Sequence, residues 1–412
     1  VNVALLYVVV RAWTRSARLA CLAAAFWGTT PINQETLGWY AVYGHVLATT
    51  LLFAVLADLA RLQGPVTPRR ALTWALVLLV GSTAFGVGLA VGVVFPLAAV
   101  LLLPSGALGR RALLILAALA PVVLATYAGV WAVRELLYGQ SAEAVFDLIG
   151  RVMSWTVVVG MTLHLMAFAT AEVVLGALTG ASGYPSPASW AVVGLALAVV
   201  AVAAARAPAD VGRRLAGLIL LALAAYALIA LGRANLYAMV IHYGPERSST
   251  VERYHYLGSA VLAVTLAVAL APLAARWRLP TRVWDVALVS VLALGAAVRV
   301  LRGMAIDHHD VDRRQAREVL DAVETGIATT PPGGDVYVRN RFFQPLFMVR
   351  GPRAVTFPGS AAVFMLFYPE NTVDGRRIHF VDGDRNLLHD AKSGPPRLAE
   401  LLVSPEEATK RQ

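Results

Sequence analysis

Nine apolar stretches, most of them near the length of a bilayer crossing and punctuated by arginine, limit the architectures open to this chain. They read at 19–30, 38–60, 71–86, 88–103, 112–132, 188–205, 215–232, 256–275 and 283–301. A helix needs about 20 predominantly apolar residues to cover the hydrocarbon core. Charged residues make up 15% of the 412 and hydrophobic ones 58%, against about 25% and about 45–50% in soluble domains. A wholly water-soluble protein is excluded. The shortage of charge is also local. Residues 1–303 hold 21 Arg and 10 acids, whereas residues 304–412 hold 14 Lys/Arg and 15 acids. The expected division is a multi-span membrane domain, 1–303, followed by a small aqueous domain, 304–412.

The arginines orient the spans. Five short connections carry Arg11/Arg15/Arg18, Arg61/Arg69/Arg70, Arg110/Arg111, Arg206/Arg213/Arg214 and Arg276/Arg278/Arg282. They fall between alternate pairs of stretches, and cationic loops stay in the cytoplasm. Glu35, Glu135, Glu143, Asp147, Glu246 and Glu252 fall in the opposite connections. The resulting expectation is an α-helical polytopic membrane protein with about nine to ten spans and a small C-terminal α/β extracytoplasmic domain. The net charge of +10 belongs to the membrane half. No basic face interleaved with aromatics marks the aqueous part, so nucleic acid is not an expected partner. The single cysteine, Cys21, excludes an internal disulfide and any multi-cysteine metal site.

Two segments need separate treatment. The opening VNVALLYVVV, ending at Arg11, is too short to cross; it reads as the second half of a helix whose first part precedes Val1. Residues 154–178 are long enough to cross, yet both flanks must face outward to keep the arginine loops inside. His164 and Glu172 stand there, about 80° apart around a helix. An interfacial or re-entrant helix and a plain spanning helix with its ionisable groups facing the bundle both remain open. In the aqueous part, 310–329 has helical spacing and Pro331-Pro332-Gly333-Gly334 stops it. Val336–Val338 and Ile378–Val381 read as strands and 386–391 as a short helix.

Ionisable groups at the mouth of a membrane domain are functional candidates because burying them is costly. Three clusters qualify. The first runs from Pro31 through Asn33, Gln34 and Glu35 to Trp39 and Tyr40, with Gly44-His45 beginning the next stretch. The second is His242-Tyr243-Gly244-Pro245-Glu246-Arg247, continuing to Glu252-Arg253-Tyr254-His255-Tyr256 just before a stretch. Arginine near a helix start can hold phosphate through paired hydrogen bonds, while Tyr and His can stack on or bond to a sugar. An interfacial belt of paired charges would have the same composition. The third, Asp307-His308-His309-Asp310-Val311-Asp312, has metal-binding residue types. It lies in a linker where Asp310 suits a helix N-cap, and no divalent metal is expected.

The first two clusters, in this order, resemble the GT-C membrane glycosyltransferases, and within them the bacterial relatives of the transmembrane protein O-mannosyltransferases. The resemblance is carried by Pro31 to Glu35 with Trp39 and the returning stretch, by Glu252-Arg253-Tyr254-His255-Tyr256-Leu257-Gly258-Ser259, and by Ala181–Trp190. It covers most of 1–275. It implies transfer of a sugar from a polyprenyl-phosphate carrier to an acceptor protein or glycan at the outer face of the bacterial cytoplasmic membrane. The family's leading acid lies in an outer loop after the first helix, which would precede Val1. The family's basic-acidic pair is replaced by Ser82-Thr83-Ala84-Phe85-Gly86. On these residues Arg253, assisted by Arg247, is expected on the phosphate. Glu35 and Glu252 are expected on the sugar or acceptor, and Tyr254, His255 and His242 as the lining. Two other readings stand beside it. A non-catalytic membrane scaffold would bind a partner through its outer domain. A transporter of lipid-linked sugar would need repeated halves and mid-span acids, and neither is visible.

Overall fold

The computed structural model describes residues 1–38, 42–138, 155–180, 182–235, 244–277, 280–303, 321–340, 346–350, 353–357 and 372–382. The chain separates into two units. The first comprises Val1–Val133 with Val145–Arg302, and the second Arg134–Ala144 with Gly303–Gln412.

The first unit is helical. Its elements are α1 (Asn2–Thr14), α2 (Ala17–Thr29), α3 (Gln34–Gly38), α4 (Tyr43–Ala60), α5 (Pro68–Ala84), α6 (Gly86–Leu102) and α7 (Arg110–Tyr138), of which residues 134–138 are counted with the second unit. Then come α8 (Trp155–Thr179), α9 (Pro187–Arg206), α10 (Ala209–Asn235), α11 (Pro245–Ser248), α12 (Tyr256–Trp277) and α13 (Thr281–Gly303). Local chemistry sets several starts. Ser16, Thr67 and Ser186 accept hydrogen bonds from the backbone N–H three residues on, at 3.2, 3.3 and 3.2 Å. Pro68 and Pro187 occupy the first helical positions, where the missing N–H costs nothing. Arg15, at φ 55°, ends α1 and lets the chain reverse at once into α2.

Among the described residues six helices are long and apolar enough to cross a membrane: Tyr43–Ala60, Arg110–Val130, Trp155–Thr179, Pro187–Arg206, Ala209–Ala234 and Tyr256–Ala275. Their surfaces identify the surrounding solvent. Only 17% of the most apolar windows of α7 and α9 is buried; Leu113, Leu114, Leu124, Leu195 and Leu197 all point outward. Water would not tolerate so continuous an apolar surface, and hydrocarbon does. This is a membrane-spanning helical protein. Of the other stretches expected to cross, 19–30, 71–86 and 88–103 correspond to helices of 13, 17 and 17 residues. The stretch 283–301 lies within the 23 residues of α13.

Packing inside the bundle depends on close backbone approach. A β-carbon at Gly88 would lie 2.0 Å from the carbonyl oxygen of Gly81, so α5 and α6 touch backbone to backbone. Trp27, Phe53, Trp74, Phe95 and Tyr226 are fully buried between the helices.

Four of the five arginine-bearing connections gather at one end; the fifth, 276–282, includes residues outside the described ones. Val66 N–H donates to the carbonyl of Ala107 at 2.8 Å, joining the α4–α5 and α6–α7 connections. Arg213 at the start of α10 donates to the Ser105 hydroxyl and to the carbonyl of Val100. A hollow of about 180 Å³ lies here among Trp13, Arg15, Leu59, Leu62, Pro104 and Arg214.

The opposite end gathers the 30–38 segment, the α5–α6 turn, the 180–186 loop and the 244–255 connection. Helix α8 meets this end twice. A β-carbon on Gly160 would stand 3.7 Å from Pro245, and the carbonyl of Glu172 accepts from Thr30 at 2.8 Å. A helix crossing a bilayer carries its two ends about 30 Å apart. Helix α8, at 25 residues, is long and apolar enough to cover that distance.

In the second unit, residues 321–329 are helical and Ala322 and Val323 pack on Val336, Val338 and Ile378. Strand β1 (Asp335–Asn340) pairs in parallel with β5 (Arg376–Asp382), and β4 (Thr372–Val373) pairs antiparallel with β5. A separate hairpin joins β2 (Leu346–Arg350) to β3 (Arg353–Phe357). The expected strands at 336–338 and 378–381 lie within β1 and β5. The expected helix at 386–391 lies outside the described residues.

Candidate functional site

Pro31 ends α2, and the chain turns through a 3-10 segment, Pro31–Asn33, into α3, which carries Glu35. Buried polar side chains hold this turn down. Asn33 Nδ2 donates to the carbonyl of Trp27 at 2.7 Å, and Thr30 Oγ1 anchors the turn to α8. Thr36 is wholly buried and its hydroxyl donates to the carbonyl of Arg253 at 3.3 Å. That bond joins two of the sequence clusters. The helix bearing Glu35 lies against the 3-10 turn Glu252–Tyr254, 217 residues away in sequence.

The second cluster is built from its histidine outward. His255 is completely buried. Its Nε2 is 2.7 Å from the carbonyl of Ser249 and its Nδ1 is 3.2 Å from the Tyr226 hydroxyl. The carbonyl only accepts, so Nε2 carries the proton and Nδ1 accepts from Tyr226. Burial pushes the His255 imidazole down to about 3, and it stays neutral. These bonds pin the 249–255 turn to α10, and that turn carries Glu252 and Arg253, both half-buried. Tyr254 is buried, and the Arg253 guanidinium carbon lies 5.3 Å from its ring centroid, within reach of a cation–π attraction. Arg247 is exposed on the short helix α11 in the same connection. His242 and the Asp307–Asp312 cluster lie outside the described residues. Among the described residues no three His, Cys, Asp or Glu side chains gather as metal ligands would.

The start of α12 is wired to three other helices. Ser259 Oγ accepts from Trp27 Nε1 at 3.0 Å, and the Tyr256 hydroxyl accepts from Asn2 Nδ2 at 3.2 Å. A β-carbon on Gly258 would meet the Tyr226 ring at 2.3 Å, which explains the glycine there. These links fix the height and rotation of the Glu252–Tyr254 turn.

A second polar centre adjoins it. Glu172 sits in a π-helical turn, Glu172–Gly176, and is 6% exposed. Its Oε1 accepts from the backbone N–H of Ser182 at 2.7 Å and from the Ser182 hydroxyl at 2.6 Å. Such turns are frequent at functional sites, and a buried carboxylate without hydrogen bonds would be costly. His164 bonds to the Tyr184 hydroxyl, and Tyr184 leans on Trp190 with ring centroids 5.4 Å apart. Burial, with Glu246 nearby, pushes the Tyr184 hydroxyl above its ordinary pKa. The sequence marks Glu172 and Ala181–Trp190 separately; the fold joins them. Tyr226 and Asn2 escape the sequence reading. Their signal is a polar atom inside an otherwise apolar run, the same criterion that marks Glu172.

No family model, curated protein or solved structure matches this chain. Carboxylate, guanidinium, hydroxyl and aromatic groups meet at one end of the bundle, where groups can meet both a lipid-borne headgroup and a water-borne partner.

Proposed function

We propose that this protein is an integral-membrane glycosyltransferase that moves a sugar from a polyprenyl-phosphate carrier to an acceptor hydroxyl. It would work in the bacterial cytoplasmic membrane, with the site and the C-terminal domain on the extracytoplasmic side. The reading rests above all on one observation: Thr36 binds the carbonyl of Arg253, so the helix bearing Glu35 and the turn bearing Glu252 and Arg253 share one rim. The chemistry needs both charges together. A carboxylate, Glu35 or Glu252, removes the proton from the acceptor hydroxyl. The hydroxyl oxygen bonds to the anomeric carbon as the carbon–oxygen bond to phosphate breaks, and that electron pair leaves on the phosphate. Arg253, assisted by Arg247, stabilises the departing anion through hydrogen bonds to its oxygens. The carrier chain lies in lipid with its phosphate at the interface, and the rim stands at the end of the helical bundle.

The test is transfer from a radiolabelled polyprenyl-phosphate hexose by the purified protein in lipid nanodiscs, with added acceptor peptides and glycans. Wild type releases polyprenyl phosphate, and Arg253→Ala and Glu35→Ala each release it far more slowly. Equal release by wild type and both variants removes the assignment.

A further inference from the structure

His45, in the first turn of α4, is completely buried, and neither of its ring nitrogens has a hydrogen-bond partner. Asn33 Oδ1, buried at the same end of the bundle, has none either. A neutral imidazole always presents one N–H donor and one bare acceptor, and buried groups of this kind are nearly always paired. The other buried imidazole at this end, His255, shows the usual condition with both nitrogens engaged. Such an exception calls for an occupant.

An aromatic ring packs on His45. Phe85 lies over it with centroids 4.0 Å apart and planes tilted by 39°. Phe85 is the one residue between α5 and α6, in extended backbone at φ −163° and ψ 155°, and is only half-buried. Its side chain packs at the edge of the core. A change of its rotamer would take that ring off the imidazole.

We propose that His45 is a sugar-hydroxyl site closed by Phe85 in the unliganded protein. With Phe85 swung aside, the imidazole N–H donates to one oxygen and the bare nitrogen accepts from another O–H group. Vicinal hydroxyls of a sugar meet that demand, and so do two waters. The closed state leaves the nitrogens unpaired, and binding relieves this, which is how a minor open conformation becomes dominant with ligand. The identity of the sugar's carrier rests on the glycosyl-transfer reading above.

Binding of a polyprenyl-phosphate hexose and of the bare polyprenyl phosphate is compared for wild type, His45→Phe and His45→Gln. His45→Phe should bind the hexose carrier about tenfold more weakly, the scale of one lost hydrogen-bonding group, and the bare phosphate as wild type does. His45→Gln, which keeps a donor and an acceptor, should stay within about threefold. Should His45→Phe fail to fold, Phe85→Ala decides: diethyl pyrocarbonate should modify His45 in it, and the hexose carrier should suppress the modification. Undiminished hexose binding by His45→Phe, or modification that the hexose carrier does not suppress, leaves water as the occupant and overturns the proposal. Failure of wild type to bind either carrier removes the glycosyl-transfer reading together with this one, whereas binding by wild type and His45→Phe alike removes this one alone.

Discussion

At the arginine end of the bundle, charged side chains pair at the surface. Arg70 clasps Asp58 through two hydrogen bonds of 2.6 and 2.5 Å, with side chains 37% and 42% exposed, and Arg214 meets Asp210 one helical turn away at 3.1 Å. At the opposite end the polar groups turn inward. Thr36, His45 and His255 are 0% exposed, and Glu172 is 6% exposed. The two ends contain similar residue types and differ in where the solvent is. Exposed ion pairs contribute about 0–1 kcal/mol, so the arginine end can orient the chain in its membrane with little effect on stability. Buried polar groups demand partners or cost about 1–3 kcal/mol each. Their concentration sets that end apart from the arginine end.

That contrast breaks first, and most visibly, in activity. Arg253→Lys keeps the charge and loses the fork that grips two phosphate oxygens; transfer should fall about 10- to 100-fold. Arg70→Lys, at the other end, should leave transfer within about twofold. Similar losses in both would mean that the ends do not differ in function.

The pH response should separate the ends next. His255 is held neutral with its pKa at about 3, below the ordinary 6.5. As pH falls below 6.5 the unfolded chain takes up a proton that the folded chain refuses until near 3. The stability gained from the neutral form is therefore whole above pH 6.5 and is lost on acidification. By pH 5 the loss is about 2 kcal/mol. Thermal unfolding in detergent at pH 7.5 and 5.0 should show it, and His255→Phe should flatten the slope.

Smaller effects sharpen the same comparison. Ser182→Ala removes the hydroxyl bond to Glu172 and leaves the backbone bond, so it should destabilise by about 1–2 kcal/mol in chemical denaturation. Asp58→Asn, which strips the charge from the exposed clasp on Arg70, should cost at most about 1 kcal/mol. A larger cost for Asp58→Asn than for Ser182→Ala would reverse the account of where polar stability resides.

Much of this fold is legible in the sequence because its signals are local. Apolar length sets the helices, Pro31 ends α2 where expected, and four of the five arginine-bearing connections collect at one end. Serine before proline places the start of α9. The site is legible only in fragments. Glu252 and Arg253 announce themselves by composition, but Thr36 reaching the carbonyl of Arg253 is a contact across 217 residues, for which the chain carries no periodic signal. His255 looks like a lining residue in the sequence; only its bonds to Ser249 and Tyr226 show that it holds the turn from within. In the second unit the β2–β3 hairpin was open to inference from Gly351-Pro352 between two apolar runs. The parallel pairing of β1 with β5 depends on a long connection and was not.

The central claim is that the buried-polar end faces away from the cytoplasm and the arginine end toward it. Replacing Cys21 with serine and introducing single cysteines at Thr250 or Arg110 allows labelling of intact spheroplasts with a membrane-impermeant maleimide. The account predicts that the cysteine at 250 reacts at once and the one at 110 only after permeabilisation. Labelling in the reverse order, or of both from one side, would contradict it.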